Sequence, residues 1–191
     1  RRHTRCSRDW SSDVCSSDLS TLEQVVVVRS SLAGLRACES LRQQGFTGTI
    51  QLVGSEAHLP YDRQPLSKRL LSGEWSIGQT LLRKPESLAE LELTLRQGVA
   101  ASGLDTQSRR VQLADGSTVS YDGLIIATGS VCRRLPNQPT LRGLHELRTL
   151  DDSIALRDAF AAGGRGGRSL RLVVIGAGFI GLEAAATARS T

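Results

Sequence analysis

The sequence predicts an α/β fold: a Rossmann-like, three-layer first unit carrying a β-hairpin insertion, followed by the opening of a second such unit. Three observations predict it. Near the end of the chain, residues 171–175 form a short β-branched run of the kind that fills a buried parallel strand. That run leads into G-x-G-x-x-G at Gly176, Gly178 and Gly181, and then into the helix-forming residues 182–188. Near the start, residues 24–28, the helically spaced residues 32–42 and the alternating residues 49–53 read as strand, helix, strand. Between these two units, residues 110–113 and 118–121 flank Asp115-Gly116, the turn signal of a hairpin.

Strand, glycine fingerprint, helix is the order that a dinucleotide site needs. Gly176 allows a tight turn, Gly178 lets backbone approach a pyrophosphate, and Gly181 lets helix and strand pack closely. Phe179 and Ile180 lie at the start of the helix, whose free N–H groups and positive dipole end attract phosphate. The matching turn of the first unit reads Arg29-Ser30-Ser31-Leu32-Ala33-Gly34, so only the third glycine is kept. Ser31 is small enough for its place, but Arg29 puts a side chain where a tight turn favours glycine. A single base change turns a glycine codon into an arginine codon. Weak cofactor binding is the expectation, with a phosphate contact from Arg29 as the alternative. Ser30, Ser31, Ala33 and Gly34 are the cofactor-facing candidates of this turn. Glu56 follows Gly34 by 22 residues, where an acid at the end of the second strand grips ribose hydroxyls. A plain loop carboxylate is the other reading.

The 191 residues suffice for one large domain or two small ones. With 39% hydrophobic but only 4% aromatic residues, the core must be built from Leu, Val, Ile and Ala. The formal charge of +5 comes from arginine, since Lys68 and Lys84 are the only lysines. Its scatter favours a solvated basic surface over a dedicated face for an acidic protein or a nucleic acid. No apolar run reaches the roughly 18 residues of a membrane span, so a cytoplasmic protein is expected. Residues 1–19 are rich in Ser, Asp and Arg and resemble a translated sequencing-adapter read-through. They are read as a non-native tail, and His3, Cys6, Trp10 and Cys15 are set aside with them. Cys38 and Cys132 then remain as two free thiols, and His58 and His145 as structural residues, with no metal site.

Residues 35–37, Gly45-Phe46, residues 50–56 and above all the string from His58 to Lys68 (His-Leu-Pro-Tyr-Asp-Arg-Gln-Pro-Leu-Ser-Lys) resemble a known segment. It is the N-terminal FAD-binding part of the FAD-dependent pyridine nucleotide-disulfide oxidoreductases, in particular the ferredoxin reductases of the putidaredoxin and rhodocoxin reductase type. The resemblance implies that Arg63, Pro65 and Lys68 lie beside the flavin, with Lys68 near the reactive end of its ring. A cation there stabilises negative charge on the reduced flavin. It also implies that Thr128 and Gly129, in Ala-Thr-Gly after the strand of residues 122–126, meet the FAD. Residues 144–160 would form a crossover segment with a helix capped near Asp151. Glu183 would face the flavin and pair with Lys68, making these two the catalytic candidates; an ordinary glutamate in the first helical turn is the alternative. Relatives with thiol chemistry carry a C-x-x-x-x-C pair or a lone cysteine after the second strand. Here Cys38 stands alone inside the helix, which argues for core packing and for direct transfer from flavin to a partner.

These readings divide the chain into a FAD-binding domain over residues 20–131, in its N-terminal part, and the start of an NAD(P)-binding domain over residues 132–191. A flexible glycine-rich loop is expected at residues 163–167. The chain ends 15 residues after Gly176, before the position about 20 residues beyond the fingerprint that selects NADH or NADPH, and so reads as a fragment. The implied function is electron transfer from NAD(P)H through FAD to a ferredoxin-type iron–sulfur partner, the flavin carrying the chemistry. The alternatives are an NADH oxidase or nitrite-reductase-like flavoprotein, and a nucleotide-binding module with nucleic-acid affinity like that of the apoptosis-inducing relatives.

Overall fold

The computed structural model describes residues 19, 21–138, 141–163 and 171–190. Nearly all of the N-terminal tail, and residues 164–167 of the glycine-rich loop, lie outside the described residues.

The first unit is built on β1 (Gln24–Val28), α1 (Leu32–Gln43) and β2 (Thr49–Gly54). A short helix α2 (Pro85–Ala89) leads to β3 (Leu93–Gln97), and β7 (Gly123–Ile126) closes the sheet. The four strands run parallel in the order β3-β2-β1-β7. Because side chains alternate across a strand, the four consecutive valines of β1 serve two faces. Val25 and Val27 pack with Cys38 of α1, Phe46, Ile50 and Leu52. Val26 and Val28 pack on the opposite side with Val111, Leu113 and Val119. Those last three belong to an antiparallel sheet of β4 (Ala101–Asp105), β5 (Arg110–Leu113) and β6 (Thr118–Ser120). Helix, parallel sheet and antiparallel sheet are the three layers.

The insertion is larger than a hairpin. β5 and β6 do turn at Asp115-Gly116, where Gly116 has φ +83° and Asp115 Oδ1 accepts from the Ser117 N–H at 2.9 Å. β4 adds a third strand, and its mostly exposed Ala-Ser-Gly-Leu-Asp has no apolar alternation to announce it.

Cys38 is fully buried in the core, and burial pushes its thiol up to about 12. A thiol so placed reacts slowly. In the folded protein at pH 8, iodoacetamide should therefore leave Cys38 unmodified while half-buried Cys132 is alkylated. Peptide mass mapping reads both sites, and native-state labelling of Cys38 at the Cys132 rate would contradict the core placement.

The crossover helix α3 (Leu150–Gly163) is capped near Asp151, with Thr149 as the cap residue. Thr149 Oγ1 accepts from the Asp152 N–H at 3.1 Å, while Asp152 Oδ2 accepts from the Thr149 N–H at 2.7 Å, a reciprocal box. Asp151 itself meets His58 Nε2 at 2.8 Å. One expectation needs correction: residues 171–175 form no strand, and Val173 is 82% and Ile175 67% exposed. A parallel strand is held by its neighbours, and among the described residues no strand pairs with this run. Helix α4 (Phe179–Ser190) forms after it and is anchored through Ala184 against Leu71 and Leu156.

Candidate functional site

The two fingerprints adopt the same turn. Arg29 has φ +98° and Gly176, in the equivalent position, has φ +107°. This left-handed conformation is free for glycine but costs a residue with a side chain about 1–3 kcal/mol. The first turn is nonetheless closed, with the Arg29 N–H donating to Val53 O at 2.7 Å and the Ser31 N–H to Arg29 O at 3.0 Å. Gly34 is the tightest point: a Cβ there would stand 2.0 Å from Arg29 O. At Gly181 a Cβ would stand 2.9 Å from Val174 Cγ1 and 3.0 Å from Gly176 O, so the third glycine has the same task in both units. Next to the first turn, the Ser30 hydroxyl oxygen is buried without a hydrogen-bond partner.

In this strand order the direction of chain progression reverses between β1 and β7, and ligands of open α/β sheets bind in the crevice at such a point. The Arg29 side chain crosses it: its guanidinium donates to the carbonyl of Thr128, just beyond β7. Beside it, Gly129 has φ +67°, and Arg148 donates through Nε to Ser130 O at 3.1 Å. Arg63 donates to Arg148 O and to the Glu56 carboxylate, and Tyr61 donates its hydroxyl to the same carboxylate. The Tyr61 oxygen also accepts from the Leu150 N–H at 3.0 Å. Burial first, and the bond to Glu56 second, push the Tyr61 hydroxyl above its ordinary range. Burial, then repulsion from Arg63 and Arg148, pushes the Arg29 guanidinium down, with only Glu56 and Tyr61 opposing. Arg29, Arg63 and Arg148 thus gather at this crevice with Glu56 as the carboxylate that acts on Arg29, which leaves it electropositive.

A second cluster lies where α4 meets the 3₁₀ turn Gln64–Ser67. Pro65 sets the backbone of that turn and is buried in it. Lys68 Nζ stands 3.0 Å from Glu183 Oε1, and the Ser67 hydroxyl donates to Glu183 Oε2 at 2.6 Å. The hydrogen bond from Ser67, then that from Lys68, hold the Glu183 carboxyl below its ordinary value. A carboxyl lowered on folding stabilises the fold above its unfolded value, and that contribution is lost as pH falls through the folded one. Arg63, Lys68 and Glu183 line a cleft of about 360 Å³ together with Arg148, Phe179 and Ile180.

The predicted residues therefore fall into two linked groups. Ser30, Ser31, Ala33 and Gly34 form the first turn, and Thr128 and Gly129 stand across the crevice, bridged to it by Arg29. Arg63, Lys68, Phe179, Ile180 and Glu183 share the cleft, with Pro65 setting the turn beneath it. Glu56 joins the groups by holding Arg63. Gly176, Gly178 and Gly181 form the turn that starts α4, although Gly178 has nothing within 4 Å of a Cβ position. Sequence reasoning missed Arg148, Tyr61 and Ser67. Tyr61 and Ser67 sit inside the string of residues 58–68, whereas Arg148 had no motif to flag it.

Among the described residues no cluster of His, Cys, Asp or Glu could hold a metal ion, and no helix is long and apolar enough to cross a membrane.

The profile of the pyridine nucleotide-disulphide oxidoreductases matches residues 23–191, and the chain belongs to that family. It is 42% identical to rhodocoxin reductase of Rhodococcus erythropolis over 86% of this chain and 38% of that protein. It is 38% identical to the ferredoxin–NAD(+) reductase subunit of the benzene 1,2-dioxygenase system of Pseudomonas putida, over 86% of this chain and 39% of that one. Its fold superposes on the reductase in the covalent putidaredoxin reductase–putidaredoxin complex with a TM-score of 0.77 and 35% identity, over 88% of this chain and 40% of that chain. The chain thus spans about two fifths of the length of the curated relatives it matches.

Proposed function

We propose that the protein to which this chain belongs is an FAD-dependent oxidoreductase passing electrons from NAD(P)H to a ferredoxin-type iron–sulfur protein. Residues 20–131 would belong to the FAD-binding domain and residues 132–191 to the start of the NAD(P)-binding domain. The observation that carries this reading is the convergence of both fingerprints on one site. The first ends in the electropositive crevice, and the helix of the second brings Glu183 onto Lys68.

The residues fit a flavin dinucleotide at all points but one. The turn from Arg29 to Gly34 is left-handed at Arg29 as a fingerprint turn requires, the Ser30 hydroxyl lacks a partner, and arginines line the crevice. The exception is the Arg29 side chain, which lies where a diphosphate would enter and must swing aside. Ser30, Ser31, Ala33 and Gly34 would then hold the diphosphate, Glu56 the ribose, and Thr128 and Gly129 the opposite wall. Arg63, Pro65 and Lys68 would lie along the ring system. The second turn at Gly176, Gly178 and Gly181 would take the nicotinamide dinucleotide, with Phe179 and Ile180 at its inner edge. A bound flavin supplies the exchange between two-electron and one-electron carriers that such a chain needs. For its part, the protein supplies charge: Lys68 offers a cation to a negative ring, and Glu183 fixes where that cation sits.

Fluorescence titration tests this reading. FAD should be quenched on binding and FMN should not, because only FAD carries the diphosphate that the first turn would hold. Absence of FAD quenching by the folded chain and by its Arg29→Gly variant alike would overturn it.

A further inference from the structure

Ser67 is 5% exposed, and helix α4 grips it at two points. Its hydroxyl donates to Glu183 Oε2 at 2.6 Å, and its carbonyl accepts from Thr187 Oγ1 at 2.9 Å. Lys68, the next residue, takes the other Glu183 oxygen at 3.0 Å. A glutamate on the first turns of a helix has three rotatable bonds, and one ion pair to a half-exposed lysine is a weak restraint. Two partners on two different oxygens are a strong one, because the carboxylate plane is then set from both sides.

We propose that Ser67 is a positioning residue: its hydroxyl holds one oxygen of Glu183 so that the other stays on Lys68 Nζ. The arrangement also ties the two units together. Glu183 belongs to the second fingerprint helix, while Ser67 and Lys68 belong to the turn that follows the first unit. The charged groups around Glu183 are Lys68, in direct contact, and Arg63 and Arg148 lining the same cleft; none of these supplies a bond to Oε2. The use of Ser67 in electron transfer rests on the flavin reading above, but its hold on Glu183 does not.

The test is done without flavin. The Glu183 carboxyl is titrated by carbon-13 NMR in the native chain and in Ser67→Ala, Ser67→Thr and Thr187→Val variants. Ser67→Ala should move the midpoint upward, Ser67→Thr should restore it, and Thr187→Val should leave it in place. In parallel, acylation of Lys68 is measured against Lys84, the only other lysine and so an internal standard. Freed from a fixed partner, Lys68 should react about threefold faster in Ser67→Ala. If that variant fails to fold, Ser67→Cys keeps the volume with a poor donor and should show the same upward shift. The proposal is overturned if Glu183 titrates alike in the native and Ser67→Ala chains, or if Thr187→Val moves it equally. A failure of the flavin reading would instead appear as lost FAD binding with these titrations unaltered.

Discussion

Replacing Arg29 with glycine should raise the affinity for FAD at least about tenfold and raise the melting temperature as well. Both effects come from one position. The left-handed backbone at φ +98° carries a strain of about 1–3 kcal/mol that glycine removes. The side chain lost with it is a partly buried guanidinium, repelled by Arg63 and Arg148, that crosses the crevice to Thr128 O. One neutral hydrogen-bond acceptor is left behind at an exposed residue, where water replaces the donor at little cost. Opening the crevice is worth more: a tenfold change is about 1.4 kcal/mol, less than a single charged hydrogen bond. Fluorescence titration and thermal unfolding of the two chains read the outcome. If Arg29→Gly binds FAD more weakly, the guanidinium is a phosphate ligand and not an obstruction.

Gly34→Ala should be the most damaging single substitution in the first unit. Its Cβ would lie 2.0 Å from the Arg29 carbonyl oxygen, a backbone atom that cannot rotate away. The neighbouring turn is itself held by Val53 O, so relief requires β1, α1 and β2 to separate. A loss above about 3 kcal/mol is expected, lowering the melting point by roughly 10 °C in a domain of this size. Gly178→Ala is the control, since it meets nothing within 4 Å and should leave the melting point within about 2 °C. A stable Gly34→Ala chain would mean that the helix can stand further off the sheet than it does here.

Much of this was legible in the sequence because the carriers are local. The valine run of β1, the spacing of α1 and the Asp115-Gly116 turn each declare an element within a dozen residues. The demand for glycine at residue 29 was also readable, because the second fingerprint keeps a glycine, Gly176, at the equivalent position. What could not be read depends on partners distant in sequence. β4 has no pattern of its own and exists because β5 accepts it. The run at residues 171–175 has a strand's composition but needs flanking strands to become one. Arg148 reaches the crevice only because residues 141–149 fold back to place it beside Ser130. Ser67 was passed over because a serine beside a lysine carries no signal until a helix 116 residues later docks on it.

The central place of β1 has a consequence for how the chain comes to exist at all. β1 pairs on one side with β2, soon after it, and on the other with β7, where Val25 meets Gly123 98 residues later. The carboxylate of Asp122 fastens that junction by accepting from the N–H groups of Glu23 and Gln24 at 3.0 and 2.9 Å. On the ribosome, at about 5–20 residues per second, this side of β1 waits roughly 5–20 s for its partner. Throughout that interval four valines lie along an open strand edge, the kind of surface that recruits other chains. Yield in the cell should therefore be governed by synthesis rate, growth temperature and chaperone supply, even where the finished fold is stable.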